Sequence, residues 1–519
     1  MDNCSEKGKL NVSIEFLGAT NGIVTGSANL VTITRGDTVR KVLVDYGWFQ
    51  GDDDYMNEDR VINPDEIDCV LLTHAHLDHC GGVPLLFKTI DDNIPFTGKI
   101  YGSRETLDQA VHILRDSAKV NENRLKGYKG CYEKTKHTLM KDREKAEREV
   151  AKPKDIAAID SAVDSIEEEE QSIFYSIEDV EEAIRHFYPI DFTKGAGSIQ
   201  EITLFEGIDA KFIPTSHING STMIELRAYY GSENYTIVFS GDIGNENTIL
   251  YKKMRFPTNY SADCVVLESL HGVERPIESL QESTIILKKI LKQAAKKQKS
   301  VIISAFSLDR SAGIIKILND FMDQGLFLQC FIDSPLTEKE LNCYINSYKD
   351  GTSAWFNYNQ GFPFKTERFH VITTYQEHLL AAKYKGPNIF ITSSCMGFGG
   401  RVLDYFEQHI QDEDSIFIFP GFLPQECPSK TLLEAEQGEI VELNGRLYKK
   451  HCKTIQLHGF SSHGYYPDKL KVLDAYPNVS TVFLNHGDDE SVFTLSEFLS
   501  DKLEAEVIIP EYEDCYRLF

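Results

Sequence analysis

Residues 68–82 read DCVLLTHAHLDHCGG. The run Asp68–Leu72 is apolar, has the length of a buried strand and stops at Thr73. His74, His76, Asp78 and His79 then fall within six positions, in a protein with 15 histidines among 519 residues. On a tight loop leaving a strand, imidazoles and a carboxylate can converge, and they are the N and O donors that Zn²⁺ accepts without thiolate. A helical zinc pair sets its two histidines four apart, so this spacing belongs to a loop.

Working outward, four more donors sit in similar places. His217 ends the segment Pro214-Thr215-Ser216-His217 and Asp242 ends Phe239-Ser240-Gly241-Asp242. His463 lies in Gly459-Phe460-Ser461-Ser462-His463-Gly464, and His486 follows the strand-like Val482–Leu484. A lone histidine after a strand is commonly structural. Together, strand-end donors mark one edge of a layered sheet, where open α/β folds place their sites.

The rest of the chain reads as α/β layering. Strands are expected at Asn11–Leu17, Ala28–Thr34, Lys41–Asp45, Ile202–Pro214, Tyr235–Gly244 and Val265–Glu268. From Pro276 the pattern changes. Leu280, Thr284, Leu287, Leu291 and Ala294 recur at helical spacing, with Lys288, Lys289, Lys292, Lys296, Lys297 and Lys299 on the polar side. That lysine face is either solvated or a nucleic-acid contact. Val301–Phe306, Phe327–Asp333, Asn388–Thr392 and Ser415–Pro420 read as strands of a parallel sheet with crossovers, and Thr481–Leu484 and Glu506–Pro510 close the chain. Residues 130–172 are charged and helix-forming, and read as a solvated insertion or a partner-binding segment.

Composition bounds the function. The 54 Lys and Arg against 80 Asp and Glu leave a formal charge of −26, which argues against a non-specific polyanion binder. It leaves room for a nuclease, because a metal pair supplies local positive charge. Eleven scattered cysteines read as reduced thiols in a reducing, cytoplasmic compartment. The amino terminus shows no apolar signal segment, and no stretch has the apolar length of a membrane span, so no membrane partner is expected.

HAHLDHCGG resembles the HxHxDH signature of the metallo-β-lactamase superfamily, and the downstream blocks resemble its β-CASP branch of nucleic-acid-processing nucleases. Leu17-Gly18-Ala19 and Val24–Ser27 resemble the family's opening loop, and Asp116–Lys119, Ile303–Arg310, Asp333-Ser334-Pro335 and Ser393–Val402 resemble family blocks in their usual order. The resemblance covers most of the chain and implies a four-layer αββα hydrolase fold with an inserted α/β β-CASP domain. The expected division is residues 1–272 for the first part of the hydrolase domain, 273–456 for the insert and 457–519 for the return.

The resemblance also implies roles. His74, His76 and His217 would hold one zinc; Asp78, His79 and His486 would hold a second, with Asp242 bridging the two. Asp78 would also orient the attacking oxygen. His463 would serve the leaving oxygen, supported by Glu268, unless Glu268 instead backs a zinc-bound histidine. Ser394, Gly399, Gly400 and Arg401 could form an anion nest, and Arg310 is a further phosphate candidate against the alternative of a structural ion pair. A histidine at the position of His486 is typical of the RNA-acting members. Cys395 and Phe398 stand where relatives usually carry Gly and Thr, Leu270-His271 replaces Thr-Tyr, and Asn485 replaces an apolar residue.

The expected function is therefore a two-zinc ribonuclease acting on single-stranded RNA in a cleft between the domains. A metallo-hydrolase of single-stranded DNA, a nucleotide or a small ester is the alternative, with a non-catalytic RNA-binding scaffold behind it. A homodimer, and a protein partner reached through residues 130–172, stay open.

Overall fold

The computed structural model describes residues 9–519 apart from 124–174, 193–198, 89–93, 254–255, 257–259 and positions 59, 61, 246, 327, 350, 352 and 426. The insertion expected at 130–172 lies outside the described residues.

Two seven-stranded sheets face each other. The first runs, in spatial order, Cys515–Arg517, Leu10–Phe16, Ala28–Arg35, Thr38–Tyr46, Cys69–Leu71, Lys99–Ser103 and Phe187–Ile190. The second runs Glu506–Ile508, Thr481–Asn485, Cys264–Glu268, Glu233–Phe239, Thr222–Tyr230, Ile208–Pro214 and Gln200–Phe205. Side chains alternate across each strand. Cys264, Val266 and Phe483 point between the sheets. Val265, Leu267, Val482 and Leu484 point outward onto Val472, Leu473, Val492, Leu495 and Leu499 of helices Tyr466–Ala475 and Asp489–Lys502. Helix 104–123 and helix Ile177–Arg185 bury Leu107, Ala110, Leu114, Val180 and Ala183 in the core shared with the first sheet. The four layers are therefore αββα, as expected.

Between Glu268 and Thr481 the chain builds a third sheet of six strands, in the order His370–Val371, Gln329–Asp333, Asn388–Thr392, Ser300–Ser304, Ser415–Pro420 and Lys453–Leu457. All its pairings are parallel. Both faces are covered, which is why the middles of its central strands, Val301–Ile303, Ile389–Ile391 and Ile416–Phe419, are continuously apolar. Ile302, Phe390 and Phe417 meet Val402, Tyr405 and Phe406 on one side. Val301, Ile303, Ile389 and Ile418 share the other side's core with Leu287 and Leu291 of helix Leu280–Lys297 and Ile315 and Leu318 of helix Arg310–Asp323. The strands on either side of this excursion are neighbours: Cys264–Glu268 pairs in parallel with Thr481–Asn485, Glu268 opposite Asn485. Glu268 and the segment carrying His486, far apart in sequence, are thus delivered to one sheet edge.

Several expectations needed correction: the strand expected at Tyr235–Gly244 ends at Phe239, Asp78 and His79 lie on a helical turn in place of a loop, and the last strand is Cys515–Arg517. The stretch 202–214 is two strands, Gln200–Phe205 and Ile208–Pro214, joined by a turn at Gly207 with φ +70°; the residue pattern hid a turn that only glycine's left-handed backbone permits at low cost. Strand Thr222–Tyr230 has buried Glu225 and Thr222 among its apolar residues, which masked it as a strand. Among the described residues no helix is long and apolar enough to cross a membrane.

Phe483 is fully buried between the two facing sheets, its ring 4.9 Å from both Phe16 and Tyr516. Phe483→Ala should lower the unfolding free energy by about 3–5 kcal/mol in urea titration.

Candidate metal centre

Strand Cys69–Leu71 delivers Thr73, whose backbone N–H and hydroxyl both donate to Asp45, at 2.8 Å each. Asp45, next to last in the adjacent strand Thr38–Tyr46, takes a left-handed conformation, φ +57°. The chain then turns into the short helix Leu77–Cys80, which places Asp78 and His79 in one turn. Gly47 makes that turn possible: a Cβ there would lie 1.6 Å from the Asp78 carbonyl oxygen. Ser27 N–H donates to that same oxygen and Trp48 N–H to Leu77 O, so the early Gly-rich loop clamps the helix in place.

The donors fall into two sets. His76 Nδ1 lies 3.1 Å from His74 Nε2 and 3.2 Å from His217 Nε2. Asp242 Oδ2 lies 3.4 Å from His74 Nε2 and 3.2 Å from His217 Nε2. On the other side Asp242 Oδ1 lies 3.1 Å from His79 Nε2 and 3.5 Å from His486 Nε2, and Asp78 Oδ2 lies 3.4 Å from His486 Nε2. Ligands at roughly 2.0–2.1 Å on a tetrahedral centre are separated by about 3.3 Å, so both sets have the edge length a zinc ion requires.

The unpaired atoms fit as well. Asp242 Oδ1 and Oδ2 and His79 Nε2 are buried with no hydrogen-bond partner among the described residues. An orphaned buried polar group costs about 1–3 kcal/mol, more when charged, so three of them converging on one point call for a cation. Burial and neighbouring imidazoles push His76 down to about 3, and burial first of all lowers His74 and His217. These rings therefore present neutral lone pairs, as metal ligands must. Burial alone would raise Asp242, but His486, His79, His74 and His217 together hold it well below the carboxylate range. Burial likewise opposes a proton on His79, yet Asp242 and Asp45 outweigh it and raise that ring. Asp45 Oδ2 lies 2.8 Å from His79 Nδ1, which puts the proton on Nδ1 and turns Nε2 to the centre. Asp45 was not picked out in the sequence; its only mark there is an acidic residue at a strand end.

Each remaining donor is positioned by a separate device. The His486 N–H donates to Ala19 O at 2.7 Å, and both residues have positive φ. His463 Nδ1 lies 2.6 Å from Glu268 Oε1, while Glu268 Oε2 accepts from Ile243 N–H at 2.6 Å. Glu268 therefore pairs with His463, and its carboxylate also lies within 4.8 Å of ligand atoms of Asp242 and His486. Gly464 N–H donates to Ile243 O and Asn245 N–H to Ser462 O, stapling the His463 loop onto the Asp242 loop. Lys469, fully buried, ties both ends together by donating to Leu270 O and Gly464 O; nothing in the sequence singled it out. The His463 side chain stays 19 % exposed against 1 % for Glu268, so its ring reaches the open side of the cluster.

The expected substrate-binding residues lie in the parallel-sheet unit. Ser394, Gly399, Gly400 and Arg401 occupy the loop after strand Asn388–Thr392, and no bond joins them to the His/Asp cluster among the described residues. Ser394 O accepts from Ser304, Gly400 takes φ +79°, and open space surrounds Gly399. The Arg401 guanidinium is held by Asp333 and Ile372 O, a structural engagement in place of a free fork. Arg310 donates to Pro420 O at 2.8 Å, yet it also lines a cavity with His217, Ser461 and Ser462.

Comparison with known proteins agrees with this geometry. Residues 24–99 match the model of the metallo-beta-lactamase superfamily, 312–432 that of the Beta-Casp domain, and 448–510 that of the Zn-dependent metallo-hydrolase RNA specificity domain. Ribonuclease TTHA0252 of Thermus thermophilus is 26 % identical over 484 residues, covering 92 % of this chain and 94 % of that protein. The transcription termination factor FttA of a Lokiarchaeum species is 23 % identical over 468 residues, and that of Methanosarcina mazei 22 % over 485. These alignments take in 86 % and 90 % of this chain but only 62 % and 66 % of the two factors.

Because Asp45 fixes the orientation of His79, Asp45→Asn should weaken metal affinity by about 10–100-fold in competition with a chromogenic chelator. The circular dichroism spectrum should keep its native form.

Proposed function

Since the chain belongs to the β-CASP branch of the metallo-β-lactamase superfamily, we propose that it is a zinc-dependent ribonuclease hydrolysing phosphodiester bonds of single-stranded RNA. The observation that carries this reading is the pair of donor sets sharing Asp242, with the His463–Glu268 pair on their open side. His74, His76, His217 and Asp242 would hold one zinc, and Asp78, His79, His486 and Asp242 the other. Bound there, two zinc ions supply Lewis acidity towards the phosphoryl oxygens and acidify an attacking water.

The chain's own residues do the rest. The Asp242 carboxylate, one oxygen to each set, fixes the separation of the two halves. Asp78 holds His486 through its Oδ2 and brings a second negative charge to that half. His463 is fastened at Nδ1 by Glu268, which leaves Nε2 as the nitrogen able to pass a proton to the departing oxygen. Glu268 is clamped in turn by Ile243 N–H, so the ring has one orientation. The His463 loop continues from the last strand of the parallel sheet, Lys453–Leu457, so the proton donor comes from the boundary between the two layered units. A substrate strand lying in that boundary would pass His463 and the donor sets together. Such a slot suits a single strand better than a duplex.

Support for RNA comes from the RNA specificity match over the segment carrying His463 and His486, and from the Thermus relative named a ribonuclease. The activity of the longer termination factors is not carried over. Cytoplasmic residence is part of the proposal and rests on nine free cysteines among the described residues, seven of them buried.

Purified protein should contain about two zinc per chain by elemental mass spectrometry and should cut single-stranded RNA faster than DNA or duplex RNA. Chelator should stop it and zinc restore it. His463→Ala should lower kcat by roughly 10²–10⁴-fold with zinc content unchanged; full activity in that variant would reject the assigned role.

A further inference from the structure

The loops after the parallel strands gather along one edge of their sheet. Strands Asn388–Thr392, Ser300–Ser304 and Ser415–Pro420 are consecutive neighbours running the same way, so their carboxyl ends emerge side by side, strand axes about 4.8 Å apart. Each is followed by a phenylalanine whose ring is left in solvent: Phe398 at 54 % exposure, Phe306 at 37 % and Phe422 at 64 %. Among the described residues no other aromatic ring packs against any of the three. Poor packing does not account for this. Leu423, next to Phe422, fills the core at 2 % exposure, and Cys395, in the loop of Phe398, is at 1 %. Gly399 beside Phe398 has nothing within 4 Å of the position a Cβ would take, so a flat guest has room there.

This edge is continuous with the metal centre. Strand Lys453–Leu457 pairs with Ser415–Pro420 and leads directly to the His463 loop, and Gly421 N–H donates to Leu457 O. The Arg310 guanidinium stands 5.3 Å over the Phe306 ring and lines the same cavity as His217 and Ser462. Arg310 and Phe306 thus stand beside the cavity that reaches His217, and Phe398 and Phe422 follow the two strands that flank Ser300–Ser304.

We propose that Phe306, Phe398 and Phe422 form a stacking platform for the unpaired bases of single-stranded RNA, with Arg310 beside it for the backbone. The proposal rests on the ribonuclease reading and names what holds the substrate. A chain of net charge −26 repels a polyanion at long range. Base–aromatic stacking needs no net charge and is tolerant of sequence, and it is worth about 5- to 150-fold in affinity per base. Stacking also selects single strands, because a duplex keeps its base faces covered.

The test measures binding of a fluorescent twelve-nucleotide RNA by anisotropy in the His463→Ala protein, where the strand stays intact, and KM in the otherwise wild-type protein. Phe398→Ala with Phe422→Ala should raise Kd and KM about tenfold or more. Phe398→Trp with Phe422→Trp should restore both values, while Phe398→Leu with Phe422→Leu should not. An oligonucleotide with abasic positions should bind the parent protein as weakly as intact RNA binds the Ala pair, and the Ala pair should add no further loss. Equal losses on intact and abasic strands, or rescue by leucine, would overturn the stacking role. Unchanged RNA affinity with a dimer-to-monomer shift in sedimentation would assign the rings to a contact between two copies of the chain. Parent protein that binds RNA with this ring dependence but never cuts it would instead refute the ribonuclease reading and leave the platform standing.

Discussion

A buried carboxylate with both oxygens facing imidazole nitrogens, and no hydrogen bond to either, is the constraint around which this molecule is built. Asp242 is 2 % exposed, yet His74, His79, His217 and His486 all reach within 3.5 Å of it. Burying an uncompensated charge costs several kcal/mol, and a cluster of lone pairs aimed at one another repels. A cation held among the donors would reverse the sign of both terms. The two facing sheets, the clamp on Asp78 and the parallel pairing of Cys264–Glu268 with Thr481–Asn485 all hold this otherwise unfavourable arrangement in place.

Seen from that carboxylate, the supporting residues form a graded shell. Asp45 fixes one imidazole and Ala19 O the backbone of another; Glu268 aims a histidine that stands just outside the donor sets. Each support comes from a different strand end. Preorganisation of this kind is what separates a cluster of histidines from a working site, since ligand rings free to rotate would lose much of their affinity and their alignment. The buried Lys469 serves the same end at one remove, joining the segment after Glu268 to the segment after His463 through two carbonyl oxygens.

The parallel-sheet unit has a different task. Its buried ion pairs, Arg401 with Asp333 and His378 with Asp333 and Asp404, lie inside it and stabilise the loop after Asn388–Thr392. The loops after its central strands leave three phenylalanine rings exposed, Phe306 among them beside the Arg310 that lines the cavity with His217. The division of labour follows from chemistry. Donors for a metal need burial and fixed geometry, whereas a surface that accepts many sequences needs exposed, flat and uncharged groups.

Much of this was legible in the chain. Residues 68–79 announce a strand, a loop and four donors, because a run of apolar residues followed by His and Asp at loop spacing has few other uses. The parallel sheet shows in Asn388–Thr392 and Ser415–Pro420, whose boundaries the structure reproduces, since strands buried on both faces must be apolar throughout. His217, Asp242, His463 and His486 carry no local mark beyond a place at a strand end, and the family pattern was needed to gather them. Only the tertiary structure decided that Asp45 orients His79, that Glu268 serves His463, that Arg401 is engaged by Asp333, and that three phenylalanines stand open on one edge. Those facts depend on contacts between residues far apart in sequence, and side-chain partners across a fold are set by packing in three dimensions, which periodicity and spacing along a chain do not encode.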